Sequence, residues 1–203
     1  MSTRSSCRGI AARGVPFVLV SRRAGNHPSV TCDDHLGGRL AAEHLLSLGH
    51  RTVAVIAGEP YASTGIDRTA GFVEAYAEAG VSIPASRIVH TPFDARGGRW
   101  GAEKLLAQEP LPSAIFAVND FAAIGAIGAA RDHGLQIGTD VAVIGFNDTP
   151  LAAELPIPLT SIRSPMHEMG YRGLALLVRR IQGEEVESER LPPSLMVRAS
   201  STG

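Results

Sequence analysis

The segments AIFAVND (114–120) and VAVIGFND (141–148) decide how this chain folds. Each is an apolar run of strand length that closes on the same polar pair, Asn119-Asp120 and Asn147-Asp148. A run with no polar alternation suits a strand buried on both faces, as in a parallel sheet covered by helices. Each pair lies where a strand gives way to a helix. The Asp can then cap the helix while the Asn before it faces a ligand crevice or simply forms the turn.

The same rhythm extends outward in both directions. Upstream, PFVLVS (16–21) and SVTC (29–32) read as strands, and Asp33 or Asp34 can cap a helix that ends at Gly49. TVAVIAG (52–58) leads to a helix over about 65–79, where Thr64 and Asp67 have capping-box spacing. RIVHT (87–91) precedes a helix near 95–108 that Asp94 can cap, and further helices are predicted near 121–133 and after Pro150. LTSIR (159–163) leads into a long helix ending near Gln182, GEEVESER is a charged connector, and SLMVRAS reads as the last strand. Strands alternating with helices imply an α/β protein with a doubly wound parallel sheet. Ligands in such sheets sit beyond the carboxyl ends of the strands, where both Asn-Asp pairs fall.

Composition narrows the function. The 203 residues are 44% apolar with a formal net charge of −1, which is globular and gives no electrostatic footprint for nucleic acid. The arginines near the start, Arg22 and Arg23 among them, are spaced as a solvated face. Two cysteines, Cys7 and Cys32, make no disulfide framework, and Cys32 reads as a small core residue. No signal peptide or membrane-length apolar run is evident, so the expected compartment is the cytoplasm. No nucleophile elbow, P-loop, dinucleotide fingerprint or metal-ligand spacing appears, so no catalytic residue, metal or cofactor is expected. His50 follows a helix-terminal glycine and reads as a charge placed favourably against the helix dipole.

The stretches LAAEHLLSLGHRTVAVIAG, DRTAGFVEAYAEAG, SAIFAVNDFAAIGAI, DVAVIGFNDTPLAAELPIPLTSIRSPMHEMG and LPPSLMVRAS occur in an order that resembles the effector-binding region of the lactose-repressor/galactose-repressor (LacI/GalR) family of transcription regulators. The resemblance runs from about Pro16 to the C-terminus. It implies a type I periplasmic-binding-protein-like fold of two lobes around a cleft, with one complete C-terminal lobe and an incomplete N-terminal lobe. Residues 33–162 and 190–203 would form the C-terminal, effector-binding lobe, and residues 1–32 and 164–189 a remnant of the other. Family members begin with a helix-turn-helix headpiece, a hinge helix and most of the N-terminal lobe, so the resemblance implies an N-terminally truncated sequence. With so few elements in that lobe, 16–21 and the helix from Met166 to Ile181 are expected to expose apolar surface unless a second chain covers it.

The resemblance also suggests the ligand-binding residues. The arginine matching Arg68 clamps ligand hydroxyl or carboxylate groups, whereas on spacing alone a surface pair with Asp67 or Glu74 is the alternative. Asn119 offers a donor and an acceptor to paired hydroxyls, and Asn147 stands where members carry Asp or Asn. Phe93 matches an aromatic that packs on the ligand face, and Thr64 can donate to a ligand or cap its helix. Ser21 and Ser164 lie on the opposite wall, and Ser21 replaces the Asp of many sugar-responsive members. The implied function is sensing of a sugar or nucleoside-like effector, with homodimerisation through the C-terminal lobe. Operator DNA would be reached only through a headpiece absent from this sequence. The alternative is a periplasmic sugar-binding protein of a transport system, which the lack of a signal peptide disfavours.

Overall fold

The computed structural model describes residue 7 and residues 9–202. Among the described residues, nine strands form two sheets. The smaller contains β1 (Leu19–Val20), β2 (Ser29–Cys32) and β8 (Glu189–Leu191), all parallel, in the order β1-β2-β8. The larger is ordered β4-β3-β5-β6-β7-β9 and contains β3 (Val53–Ala57), β4 (Ile88–His90), β5 (Ala114–Ala117), β6 (Ala142–Asn147), β7 (Thr160–Arg163) and β9 (Ser194–Met196). Five of these six strands are parallel, but β9 runs antiparallel to β7.

Central strands β3 and β5 are buried at every position, as their unbroken apolar runs require. Side chains of a strand alternate between faces, so each run feeds two cores. Val53, Val55, Phe116, Ile144 and Phe146 join Leu45, Phe72 and Tyr76 on one side. Ala54, Ile56, Ile115 and Val143 join Ala102, Leu105, Ala126 and Ala130 on the other. The first core is covered by α1 (Asp34–Ser47) and α2 (Ser63–Glu78), with Phe72 stacked on Phe116 at 4.7 Å between centroids. The second is covered by α3 (Ala95–Leu106) and α4 (Asp120–Asp132).

Local chemistry sets most boundaries as expected. Asp33 caps α1 through Leu36 N (3.1 Å), and Asp94 caps α3 through Gly97 N (2.7 Å). Gly49 and Gly134 follow their helices at φ +86° and +74°, the left-handed conformation that glycine adopts without a Cβ penalty. Pro150 opens the short α5 (Pro150–Glu154). Three expectations fail. Strand pairing around 16–21 covers only Leu19 and Val20. The connector GEEVESER contributes Glu189 and Arg190 to β8. Arg190 and Leu191, expected in the larger lobe, therefore belong to the smaller sheet, and the chain passes to the larger one at Pro192-Pro193.

Long helix α6 (Met166–Ile181) packs Met169, Gly173 and Leu176 inward against the small sheet. Its other side leaves Tyr171, Leu174, Val178 and Ile181 exposed, together with Val20 on β1. A terminal helix, α7 (Ala199–Thr202), docks under β6 and β7 through Ser200, whose hydroxyl donates to Val143 O (2.6 Å) and accepts from Thr160 N (2.8 Å).

His50 does not act as a dipole-facing cation. Its Nδ1 lies 2.9 Å from Ser113 Oγ, and burial lowers its proton affinity. His44, 2.9 Å from Ser201 Oγ, is lowered by burial and then by His50. Both imidazoles have folded-state pKa values below the unfolded value, so they favour unfolding once the unfolded chain begins to bind protons. Their contribution is complete above the ordinary histidine pKa of about 6.5 and is lost as the pH falls through it. The thermal midpoint of wild type is thus expected to fall faster between neutral pH and mild acid than that of His50→Gln. Parallel slopes in a pH-resolved melting series would contradict this.

Candidate functional site

The carboxyl ends of β3, β5 and β6 form one rim, and the segment after β1 reaches it from the smaller sheet. At the centre is Arg68, one turn inside α2 and only 4% exposed. Its Nε donates to Asp34 Oδ1 (2.7 Å), its Nη1 donates to Val118 O (2.7 Å), and its guanidinium carbon lies 3.6 Å from the Phe146 ring centroid. Nη2 makes no hydrogen bond among the described residues. The surface partners expected for Arg68, Asp67 and Glu74, are engaged elsewhere, with Arg23 and His35 respectively. Asp34 is the true partner, 5% exposed at the first position of α1. Burial raises its carboxyl pKa above the ordinary value, with the adjacent Arg68 charge opposing the rise.

The two Asn-Asp pairs play different parts from those expected. Asn119, not Asp120, caps α4, with Oδ1 accepting from Ala122 N (2.8 Å), while Nδ2 donates to Phe93 O (2.8 Å). Asp120 is buried and accepts from Thr149 N (2.7 Å), Thr149 Oγ1 (2.9 Å) and Ser161 Oγ (2.6 Å). Burial raises the Asp120 pKa and those hydrogen bonds oppose it. Asn147 and Asp148 sit at φ +107° and +52°, in the half of backbone space costly for residues with a Cβ. Asp148 caps nothing and is held by Arg163 (2.8 Å) and Arg198 (2.7 Å). The Asn147 side chain has no hydrogen bond among the described residues, which leaves its amide free at the tip of β6.

Phe93 is half-buried over Gly58 and Gly65, and a Cβ on Gly58 would lie 2.1 Å from its ring. Thr64 is buried at the second position of α2 and does not cap it, because the helix already begins at Ser63 with Ala62 before it. The segment after β1 approaches this rim from the other sheet. Ser21, exposed at φ +73°, turns the chain so that Arg22 lies 5.4 Å from the Phe93 centroid. Arg23 donates from its backbone N to Ser63 Oγ (3.0 Å) and from its guanidinium to Asp67. The solvated-face reading fits Arg23, whose side chain is 45% exposed, whereas Arg22 is half-buried and turned to the Phe93 ring. Their position immediately after the tip of a parallel strand was the available signal. Ser164 is buried beneath the rim. Its N–H donates to Asn147 O (3.4 Å) and its hydroxyl contacts Met169 Sδ (3.5 Å) and the Cys32 thiol. Burial, then Asp34, pushes that thiol up to about 11, so Cys32 is an inert core residue.

The rim therefore brings Arg68, Asn119, Asn147, Phe93 and Thr64 together, with Arg22 and Arg23 across from them. It offers an aromatic face, one free amide and an arginine fork with a spare nitrogen. Among the described residues there is no group of acids, histidines or cysteines able to hold a metal ion, and no helix is long and apolar enough to cross a membrane.

This is the arrangement of periplasmic-binding-protein-like domains, and residues 42–201 match that domain family. A LacI family transcriptional regulator from Enterococcus faecium, solved with bound ribose, superposes with a TM-score of 0.86 and 30% identity over 99% of this chain and 76% of that one. The chain belongs to the LacI family. A transcriptional regulator CelR–cellobiose complex superposes with a TM-score of 0.92 and 33% identity over 98% of this chain and 63% of that one. The HTH-type transcriptional regulator DegA of Bacillus subtilis is 39% identical over 98% of this chain, which spans 60% of its length.

Proposed function

We propose that this chain senses a small polyhydroxylated effector, a sugar or nucleoside-like compound, as part of a cytoplasmic, non-enzymatic transcription regulator. The observation that carries the reading is the free Asn147 amide and the spare Arg68 nitrogen beside the Phe93 ring, over which Arg22 lies, gathered at the carboxyl-end rim of parallel strands. Ring faces of sugars and bases pack on an aromatic surface, while arginine and amide groups bind hydroxyls. The relatives solved as a cellobiose complex and with bound ribose support a saccharide. Their names describe transcription regulators rather than transport proteins. Binding would favour one relative placement of the two sheets over another, and an effector acts only through that difference in affinity. Operator contact would fall to a helix-turn-helix segment outside the matched span.

Homodimerisation would use an apolar groove of about 260 Å³ between α4 and the segment that follows α5, lined by Ile124, Ile127, Leu155 and Ile157, with exposed Phe121 and Leu151 beside it. The test is a thermal-shift panel of mono- and disaccharides, sugar acids and nucleosides, with sedimentation run on the same samples. At least one compound is expected to raise the melting temperature saturably, and Phe93→Ala and Asn147→Ala to weaken its half-saturation about tenfold or more. Absence of a shift across the panel would refute effector binding by this chain, and a monomer would refute the dimer.

A further inference from the structure

The amino end of β3, opposite the cleft, carries a second cluster of cations. Arg51, Thr52, Ser82, Pro84, Arg87 and Pro110 line a cavity of about 170 Å³. Arg87 ends the 3-10 turn (Ala85–Arg87) before β4 and is 7% exposed. Its Nη2 donates to Pro110 O, but its Nη1 is buried with no hydrogen-bond partner among the described residues. Arg51, exposed at the mouth, makes only a long contact from Nη1 to Ala79 O (3.4 Å). Neither arginine forms an ion pair among the described residues, and Glu109, which precedes Pro110, reaches neither.

A guanidinium keeps its charge at any physiological pH. Removing one from water without a counter-charge, and with a donor left unmade, is costly. Elsewhere the fold meets this requirement: Arg68, equally buried, has Asp34. At Arg87 the protein supplies one carbonyl and an open cavity instead. That cavity is well below the roughly 300 Å³ at which sites for drug-sized ligands begin, and it has room for a small ion. The lining carries two guanidinium groups and the hydroxyl residues Thr52 and Ser82, donors of the kind that tetrahedral oxyanions accept.

We propose that Arg51 and Arg87 bind a small oxyanion of the phosphate type at the amino end of β3, separate from the effector cleft. The anion would join β3, the turn before β4 and the Pro110 loop, three segments that also meet through the Arg87–Pro110 contact, the Gln108 Nε2 donation to Ser86 O (2.8 Å) and strand pairing. Inorganic phosphate is the probe. In a zwitterionic buffer, with sodium chloride matching the ionic strength, millimolar phosphate is expected to raise the melting temperature saturably. Arg51→Gln lies at the exposed mouth and leaves the core intact. It should raise the half-saturating phosphate concentration at least about tenfold, and Arg87→Gln should abolish the response. Asn147→Ala, altered only in the cleft, should respond as wild type does. The proposal is overturned if phosphate does no more than the chloride control, if Arg51→Gln responds like wild type, or if Asn147→Ala loses the response.

Discussion

Arg68→Met is expected to destabilise the chain by about 3–5 kcal/mol, because it strands the Asp34 carboxylate in the core. Both side chains are 5% exposed, so neither solvent nor salt screens the loss. The substitution also removes the donor to Val118 O and the charge over Phe146. Pairing the change with Asp34→Leu separates the structural role from the ligand role. Replacing both ions with apolar groups removes the desolvation cost along with the attraction, so the double variant should regain most of the lost stability. It should still fail to respond to any compound that stabilises wild type, since the Arg68 fork is gone. Urea melts of the four proteins, with and without such a compound, read both effects. A single-variant cost under about 1 kcal/mol would show that the pair is not buried in solution. A ligand response retained in the double variant would remove Arg68 from the site.

The sign of the pH effect gives an independent check. Burial already raises the Asp34 pKa against the pull of Arg68. Without Arg68 it rises further, so the folded variant binds a proton that the unfolded chain does not. Stability contributed in this way grows as the pH falls from the folded toward the unfolded carboxyl pKa. The deficit of Arg68→Met relative to wild type should therefore shrink on acidification.

Much of this architecture was legible because parallel strands buried on both faces leave an unmistakable trace. The runs at 53–57, 114–117 and 142–146 could be read only as central strands, and their ends located the rim. What the sequence hid depends on direction rather than composition. Nothing in SLMVRAS shows that β9 runs antiparallel, and nothing in GEEVESER distinguishes an edge strand from a solvated loop. The Asn-Asp pairs show the same limit. Asn and Asp cap helices about equally well, so identity could not say that Asn119 would cap and Asp120 would instead gather Thr149 and Ser161. Asp34 was invisible as the partner of Arg68, because a contact 34 residues apart depends on how α1 lies against α2.

That packing rests on glycines, and Gly38→Ala with Gly125→Ala is expected to cost a few kcal/mol. A Cβ on Gly38 would lie 2.0 Å from Arg68 O, and one on Gly71 would lie 2.0 Å from His35 O, so α1 and α2 touch backbone to backbone. The pair on the opposite face repeats the device: a Cβ on Gly98 would meet Ala122 O at 2.1 Å, and one on Gly125 would meet Ala95 O at 2.0 Å. A carbonyl within a helix cannot swing aside as a side chain can, so each added methyl must push two helices apart. Overpacking of this kind costs about 1–3 kcal/mol per site, which exceeds the helix-propensity gain of roughly 0.5–1 kcal/mol. The two sites lie on opposite faces of the sheet and should add, for about 1–4 kcal/mol together once the propensity gain is subtracted. Gly170→Ala is the control of opposite sign. It is also helical, but its Cβ would meet nothing within 4 Å, so only the propensity gain remains and stability should rise by about 0.5–1 kcal/mol. Gly38→Ala should in addition weaken any effector response, because moving α1 from α2 withdraws Asp34 from Arg68. Gly125→Ala, which moves only α3 and α4, should spare the Asp34–Arg68 pair. If all three alanines stabilise alike, the close approach of these helices does not exist in solution.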